Sequence, residues 1–227
     1  MARLEATGLV LKVTPYRETS ALVTLFTRQL GRLVCVAKGY RGRSGRAVIA
    51  PFTIASVSLV GRGDLKTLSN FDPIDQVALD GDRLPAGFYV LELVTRALYE
   101  HQVEAEIYDA TVATLAALNE NLAYPLRRFE RFLLESLGYG FDCAVDGQNE
   151  QSVEDEQFYR YQEEVGMLPC PAEVDAAIPG WALKQIALNE LVEPQVLRWA
   201  RLLYQQALVP LIGPEPINSR ALLRATS

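Results

Sequence analysis

GRLVCVAKGYRGRSGR, residues 31–46, runs from an apolar strand straight into a loop of glycine, lysine and arginine. The wider window 19–63 holds Arg28, Arg32, Lys38, Arg41, Arg43, Arg46 and Arg62, and neither Asp nor Glu. An acidic chain is not expected to leave these cations together without an anion for them to meet. The stretch reads as the inner strand and rim of a small barrel that presents positive charge to a polyanion.

Working outward, four more runs share the strand character. They are GLVLKV (8–13), ALVTLFT (21–27), FTIASVSL (52–59) and LKTLSNF (65–71), each rich in β-branched or aromatic types and bounded by turn residues. Five short strands with one longer loop between the third and fourth suit a small closed barrel such as an OB-fold, and closure removes the exposed edges. A five-stranded SH3-like barrel would share that pattern. Residues 72–85 read as a loop, with Pro73, Gly81 and Pro85, and the expected boundary falls at 80/81. From Ala86 the apolar period changes from 2 to 3.6. Helices are expected over 88–102, 107–122, 126–137, 181–188, 196–211 and 219–224. An acidic stretch, 142–164, interrupts them, and 158–168 reads as a small hairpin within it. The expected fold is therefore α+β: a five-stranded OB-type barrel over 1–80, then an α-helical domain over 81–227 with a small hairpin insertion.

The totals set limits. The 227 residues carry a formal charge of −6. Residues 1–80 hold 11 Lys and Arg against 6 Asp and Glu, so the first part is basic and the acid lies in the rest. The cysteines, Cys35, Cys143 and Cys170, are odd in number, widely spaced and without a CxxC pair, which fits a reducing compartment. MARLEATG (1–8) has a carboxylate at position 5 and no long apolar core, so no signal peptide is expected. No run of apolar residues is long enough for a membrane span. The expected location is the cytoplasm, associated with the nucleoid.

Most enzyme chemistry finds no support. His101 is the one histidine, placed at the end of a helical pattern, and no feature links it to Cys143. There is no GxxxxGK[ST] phosphate loop. Gly39, Gly42 and Gly45 recur every third residue without a following helix. Asp72/Asp75 and 154–156 pair carboxylates, but on loops, where converging metal ligands are poorly held. No catalytic and no metal-binding residue is assigned.

Nucleic-acid binding is the positive reading. Lys38, Arg41, Arg43, Arg46, Arg62 and Lys66 are candidate phosphate contacts, and Tyr40, flanked by Gly39 and Arg41, is a candidate exposed stacker. Tyr16 and Phe52 are further aromatics, with core packing favoured for Phe26 and Phe52. An RNA-binding OB module and a metal-dependent nuclease are the alternatives. A second constellation is LRRFERFLL (126–134). Leu126, Phe129, Leu133 and Leu137 share one helical face, while Arg127, Arg131 and Leu134 lie on another. That second face either receives a short acidic and aromatic peptide or pairs with the domain's own carboxylates, and both readings stand.

PYRETS (15–20), LVTLFT (22–27), GRLVCVAKGYR (31–41), PFT (51–53), GRGDLKTL (61–68), LRRFE (126–130), LLESLGYG (133–140) and PINSRALLR (216–224) follow one another as in the bacterial RecO recombination-mediator proteins, which this chain resembles over essentially its whole length. The resemblance implies an OB-fold, a helical C-terminal domain and a non-enzymatic role in DNA repair. It implies binding of single- and double-stranded DNA, strand annealing and, with RecR, loading of RecA onto strands coated by single-stranded DNA-binding protein (SSB). It also implies docking of the SSB tail on the helical domain, with Arg127 at a tail contact. Many members of that family carry a four-cysteine zinc site after LGYG. Here Cys143 matches its first cysteine, Asp146 stands three positions on, and Cys170 is far away. Two thiolates do not complete a tetrahedral site, so no zinc and no other cofactor is expected, with hairpin packing in the metal's place.

Overall fold

Alternation of inward apolar and outward polar residues lays down five strands: β1 (Arg3–Tyr16), β2 (Ser20–Thr27), β3 (Gly31–Ala37), β4 (Thr53–Val60) and β5 (Lys66–Gln76). The computed structural model describes residues 3–40 and 48–219. The strands close into a barrel in the order β1-β2-β3-β5-β4, with β4 returning antiparallel to β1 and β3 lying parallel to β5. This is the expected OB-type barrel followed by helices and a small sheet. Val10, Val23, Leu25, Leu33, Cys35, Val57 and Leu59 fill its interior. Their burial removes the Cys35 thiol from water and pushes its pKa up to about 12.

Two helices lie with the barrel. α1 (Arg83–Ala97) and α2 (Ala105–Ala117) explain why β2 is buried on both faces at its end. Phe26, 0% exposed, meets Tyr108 edge-on at 5.5 Å, and Phe52 meets Phe88 at 4.9 Å. Both phenylalanines are core residues, as favoured from sequence. The packing divides the chain into residues 1–119 with 217–227, and residues 120–216.

Other expectations need adjusting. β5 continues through Asp72, Pro73 and Asp75, where a loop was expected. Beyond its short seam with β3 its outer edge is exposed, and proline and carboxylates are the residues that blunt such edges. α1 ends at Ala97, and His101 sits beyond it at φ 63°, its amide donating to the Arg32 carbonyl at 2.8 Å. Gly31 has φ 71°, and a Cβ there would lie 2.1 Å from the Gln102 carbonyl oxygen. Glycine at the head of the opening stretch therefore lets β3 pass close under the α1–α2 connection.

The second unit is built on α3 (Ala123–Ser136), packed against α5 (Pro194–Ala207). The expected hairpin forms as β6 (Phe158–Gln162) and β7 (Gly166–Cys170), and β8 (Ile178–Pro179) adds a third strand. α4 (Gly180–Ala187) and α6 (Val209–Ile212) complete the unit, with Trp181 edge-on to Trp199 at 5.3 Å. Of the helix expected over 219–224, only its start at residues 218–219 lies within the described part.

Candidate nucleic-acid interface

Register, not sequence distance, brings the barrel's cations together. Tyr16 pairs with Ser20 and Ala21 with Ala37, so the β1–β2 turn lies beside the end of β3. Cys35 pairs with Lys66, which places the start of β5 next to the same strand. Arg17, Lys38, Lys66 and the Arg62 turn are thus carried on neighbouring strand ends. Arg17, Lys38 and Arg62 are exposed. The Arg17 guanidinium lies over the Tyr16 ring, 5.1 Å from its centroid. Sequence reading missed this stacked pair, although adjacent Tyr and Arg at a strand end was the available signal. Glu18 and Asp64 are exposed in the same two turns, in no ion pair among the described residues.

Each expected site residue has a definite place. Lys38 and Arg62 are on the surface, as a phosphate contact requires. Lys66 is half-buried and its ammonium donates to the Gly63 carbonyl, closing the β4–β5 turn. Tyr40 was expected to be exposed; instead it packs half-buried against the barrel core, its hydroxyl donating to the Ile49 carbonyl at 3.0 Å. Arg41, Arg43 and Arg46 lie outside the described residues.

The window 19–63 is less unbalanced than its sequence suggests. Arg28 donates to both carboxylate oxygens of Asp109 at 2.9–3.2 Å, and Arg32 lies 3.6 Å from Glu100 while its Nε donates to the Leu98 carbonyl. The Arg28 guanidinium holds the Asp109 carboxyl below its usual range, and Asp109 raises Arg28. Two of the seven cations are therefore matched by residues of the helical segment.

The expected peptide face on α3 is not a free surface. Arg127 is 5% exposed and forms a 2.6 Å ion pair with Glu130, itself 0% exposed, and Leu134 is 1% exposed. Arg131 donates to Glu135 at 2.7 Å and to the Ile186 and Ala187 carbonyls at the end of α4. α3 is covered on two faces, so these side chains hold the unit together, the second of the two sequence readings. The signal was in the spacing: Arg127 and Glu130 stand i,i+3 with Leu134 in the same column. Arg128 is the exposed cation of this helix, 5.6 Å from the Tyr124 ring centroid, and Tyr124 accepts from the Asn189 side chain at 3.2 Å beside Leu188, 70% exposed.

Among the described residues no three of His, Cys, Asp and Glu converge to hold a metal. Cys143 is buried, and that burial pushes its thiol up to about 12. Asp146 turns its carboxylate on its own loop, accepting from the Gln148 and Asn149 amides and the Asn149 side chain at 2.8–3.4 Å.

Comparison with known proteins places both parts of the chain. Residues 1–77 match the model of the recombination protein O N terminal domain, and residues 78–201 that of the recombination protein O C terminal domain. The chain is 37% identical to the DNA repair protein RecO of Yersinia enterocolitica, over 96% of this chain and 92% of that protein. It is similar to the same degree to the proteins of that name from Yersinia pestis and Yersinia pseudotuberculosis. Among the described residues no helix is long and apolar enough to cross a membrane.

Proposed function

Since the chain belongs to the recombination protein O family, whose business is DNA repair and recombination, we propose that it is a non-enzymatic mediator that binds DNA through the barrel and anneals complementary strands. The observation that carries this reading is the set of exposed cations on adjoining strand ends, Arg17, Lys38 and Arg62, next to a sequence segment that adds Arg41, Arg43 and Arg46. Lysine and arginine there neutralise phosphates on two strands at once, which lowers the repulsion opposing their pairing. Bases that unstack from the backbone have guanidinium and tyrosine planes such as Arg17 on Tyr16 to lie against. The protein would work in the cytoplasm without a metal or other cofactor.

The helical unit, in this reading, brings the protein to strands coated by SSB, and cooperation with RecR lets RecA load there. With Arg127 and Leu134 buried, the proposed tail contact is the exposed Arg128 and Leu188 with the half-buried Tyr124, and Arg131 at its margin. A carboxylate-rich aromatic peptide would meet a guanidinium and a neighbouring apolar side chain.

Annealing of complementary strands precoated with SSB tests the reading. The protein should accelerate annealing, and changing Arg41 and Arg43 together to Glu should lower both DNA affinity and its salt slope. Unchanged affinity throughout a salt titration would remove the barrel from the role. Arg128→Glu should abolish the response to the SSB tail and leave bare-strand binding intact.

A further inference from the structure

A groove of about 760 Å³ opens in the second unit between the end of α3, the 145–150 loop and the β6–β7 turn. Three aromatics furnish it. Phe141 and Tyr161 lie against each other with centroids 4.7 Å apart, and Tyr139 presents its ring to solvent at 42% exposure. Five carboxylates line the same space, and among the described residues no lysine, arginine or histidine does. Asp146 is satisfied within its loop. Asp142, Glu150, Glu163 and Glu164 form no ion pair among the described residues. The Glu163 charge reaches Tyr161, where with burial it helps hold the phenol proton more tightly.

The walls are fixed before anything binds. Gly147 donates to the Met167 carbonyl at 2.8 Å, and a Cβ on Gly147 would lie 1.8 Å from the Val165 carbonyl oxygen. The backbone at Asp146 and Met167 forms an isolated parallel β-bridge. A preformed concavity of this volume with aromatic walls loses little entropy on occupation. Aromatic faces beside uncompensated carboxylates are the surroundings that favour a guanidinium, through cation–π contact and charge-assisted hydrogen bonds together.

We propose that this groove docks an arginine-bearing segment of a partner protein, the guanidinium entering against Tyr139 and the Phe141–Tyr161 pair with the Glu163–Glu164 carboxylates around it. The occupant is of opposite charge to the DNA that the barrel is proposed to bind, so the two surfaces work independently.

The test uses the full chain and a fluorescent peptide of alternating glycine and arginine, followed by anisotropy. A citrulline peptide of the same length controls for charge, and a lysine peptide for the planar fork. The arginine peptide should bind, the lysine peptide about threefold more weakly, and the citrulline peptide not at all. Glu163→Gln with Glu164→Gln, both in an exposed turn, should weaken binding about tenfold, and Tyr139→Ala about threefold. Affinity of the same variants for single-stranded DNA should not fall. Equal binding of the citrulline peptide, or indifference to Tyr139→Ala, would overturn the proposal by leaving only diffuse attraction. Displacement by magnesium where sodium chloride of equal ionic strength has no effect would overturn it in favour of a cation site.

Discussion

Arg28, in the turn after β2, grips Asp109 on α2 through both carboxylate oxygens, at 2.9 and 3.2 Å from Nε and 3.0 Å from its terminal nitrogen, across 81 residues of chain. A bidentate pair fixes the guanidinium plane and removes it from the pool of cations free to meet phosphate. Among the described cations of the barrel, Arg28 and Arg32 are thus matched from the helical segment, while Arg62 stands exposed at a strand end.

Matched and exposed cations should behave differently with salt. Arg62→Ala should reduce the slope of log affinity for duplex DNA against log salt by about one. Arg28→Ala should leave that slope unchanged. Binding measured by anisotropy over a range of salt concentrations decides it: equal losses from both variants would show that carboxylate pairing does not partition the cations.

Arg127 and Glu130 form a pair whose side chains are 6% and 0% exposed. Removing one partner of such a pair leaves a buried charge without its counterion, at a cost of about 3–5 kcal/mol. Arg127→Met should lose stability of that order in urea unfolding. Arg127→Met with Glu130→Leu should recover most of it, because neither charge remains to be desolvated. A peptide-binding defect in Arg127 variants should accordingly track the loss of folded protein.

The barrel was legible because its strands alternate and its turns are marked by glycine and proline. β5 hid its last residues because an exposed edge carries Asp72, Pro73 and Asp75, which are turn residues elsewhere. Tyr40 misled because its neighbours are glycine and arginine, while its own ring reaches back to the core and its hydroxyl to Ile49. The partners of Arg28 and Arg32 were invisible because a charge window of 45 residues contains no information about a carboxylate brought in by a later helix. Leu134 misled for another reason: α3 has two buried faces, so an apolar residue on its second face need not lie on the surface. What remained legible throughout was the family order of motifs, which the two matching domain models cover over residues 1–201.

Glu92 holds the start of the C-terminal segment. Its carboxylate accepts from the Asn218 amide at 2.9 Å and from the Ser219 amide and hydroxyl at 3.0 and 2.9 Å, with Arg96 at 3.5 Å. Burial opposes its ionisation, but those hydrogen bonds and Arg96 together hold its pKa below the usual value. A carboxylate with a depressed folded-state pKa contributes stability that is present above its unfolded pKa and lost as pH falls through the lowered folded value. Amide exchange at residues 218 and 219 should therefore be slow at neutral pH and accelerate as the pH drops below roughly 4.3. Glu92→Ala, which removes the acceptor, should show little protection at either amide at every pH, and protection that persists in that variant would assign the hold to other contacts.

Asp146 organises its own loop through hydrogen bonds. It stands three positions after Cys143, accepts from two amides of its own loop, and its backbone donates to the Gln151 carbonyl at 2.8 Å. Those amides hold its carboxyl below the usual range, so the loop's stability is present above roughly pH 4 and lost as pH falls through the lowered value. Two outcomes follow. Purified protein should carry no stoichiometric zinc, and a chelator should leave its Tm unchanged. Asp146→Ala should destabilise by about 1–3 kcal/mol, the cost of leaving the loop's donors without an acceptor, while Asp146→Asn should lose less, since the side-chain carbonyl still reaches the Gln148 amide. Elemental analysis finding one zinc per chain, or a chelator-dependent drop in Tm, would show that the loop is metal-bound and that Asp146 is not its organising group.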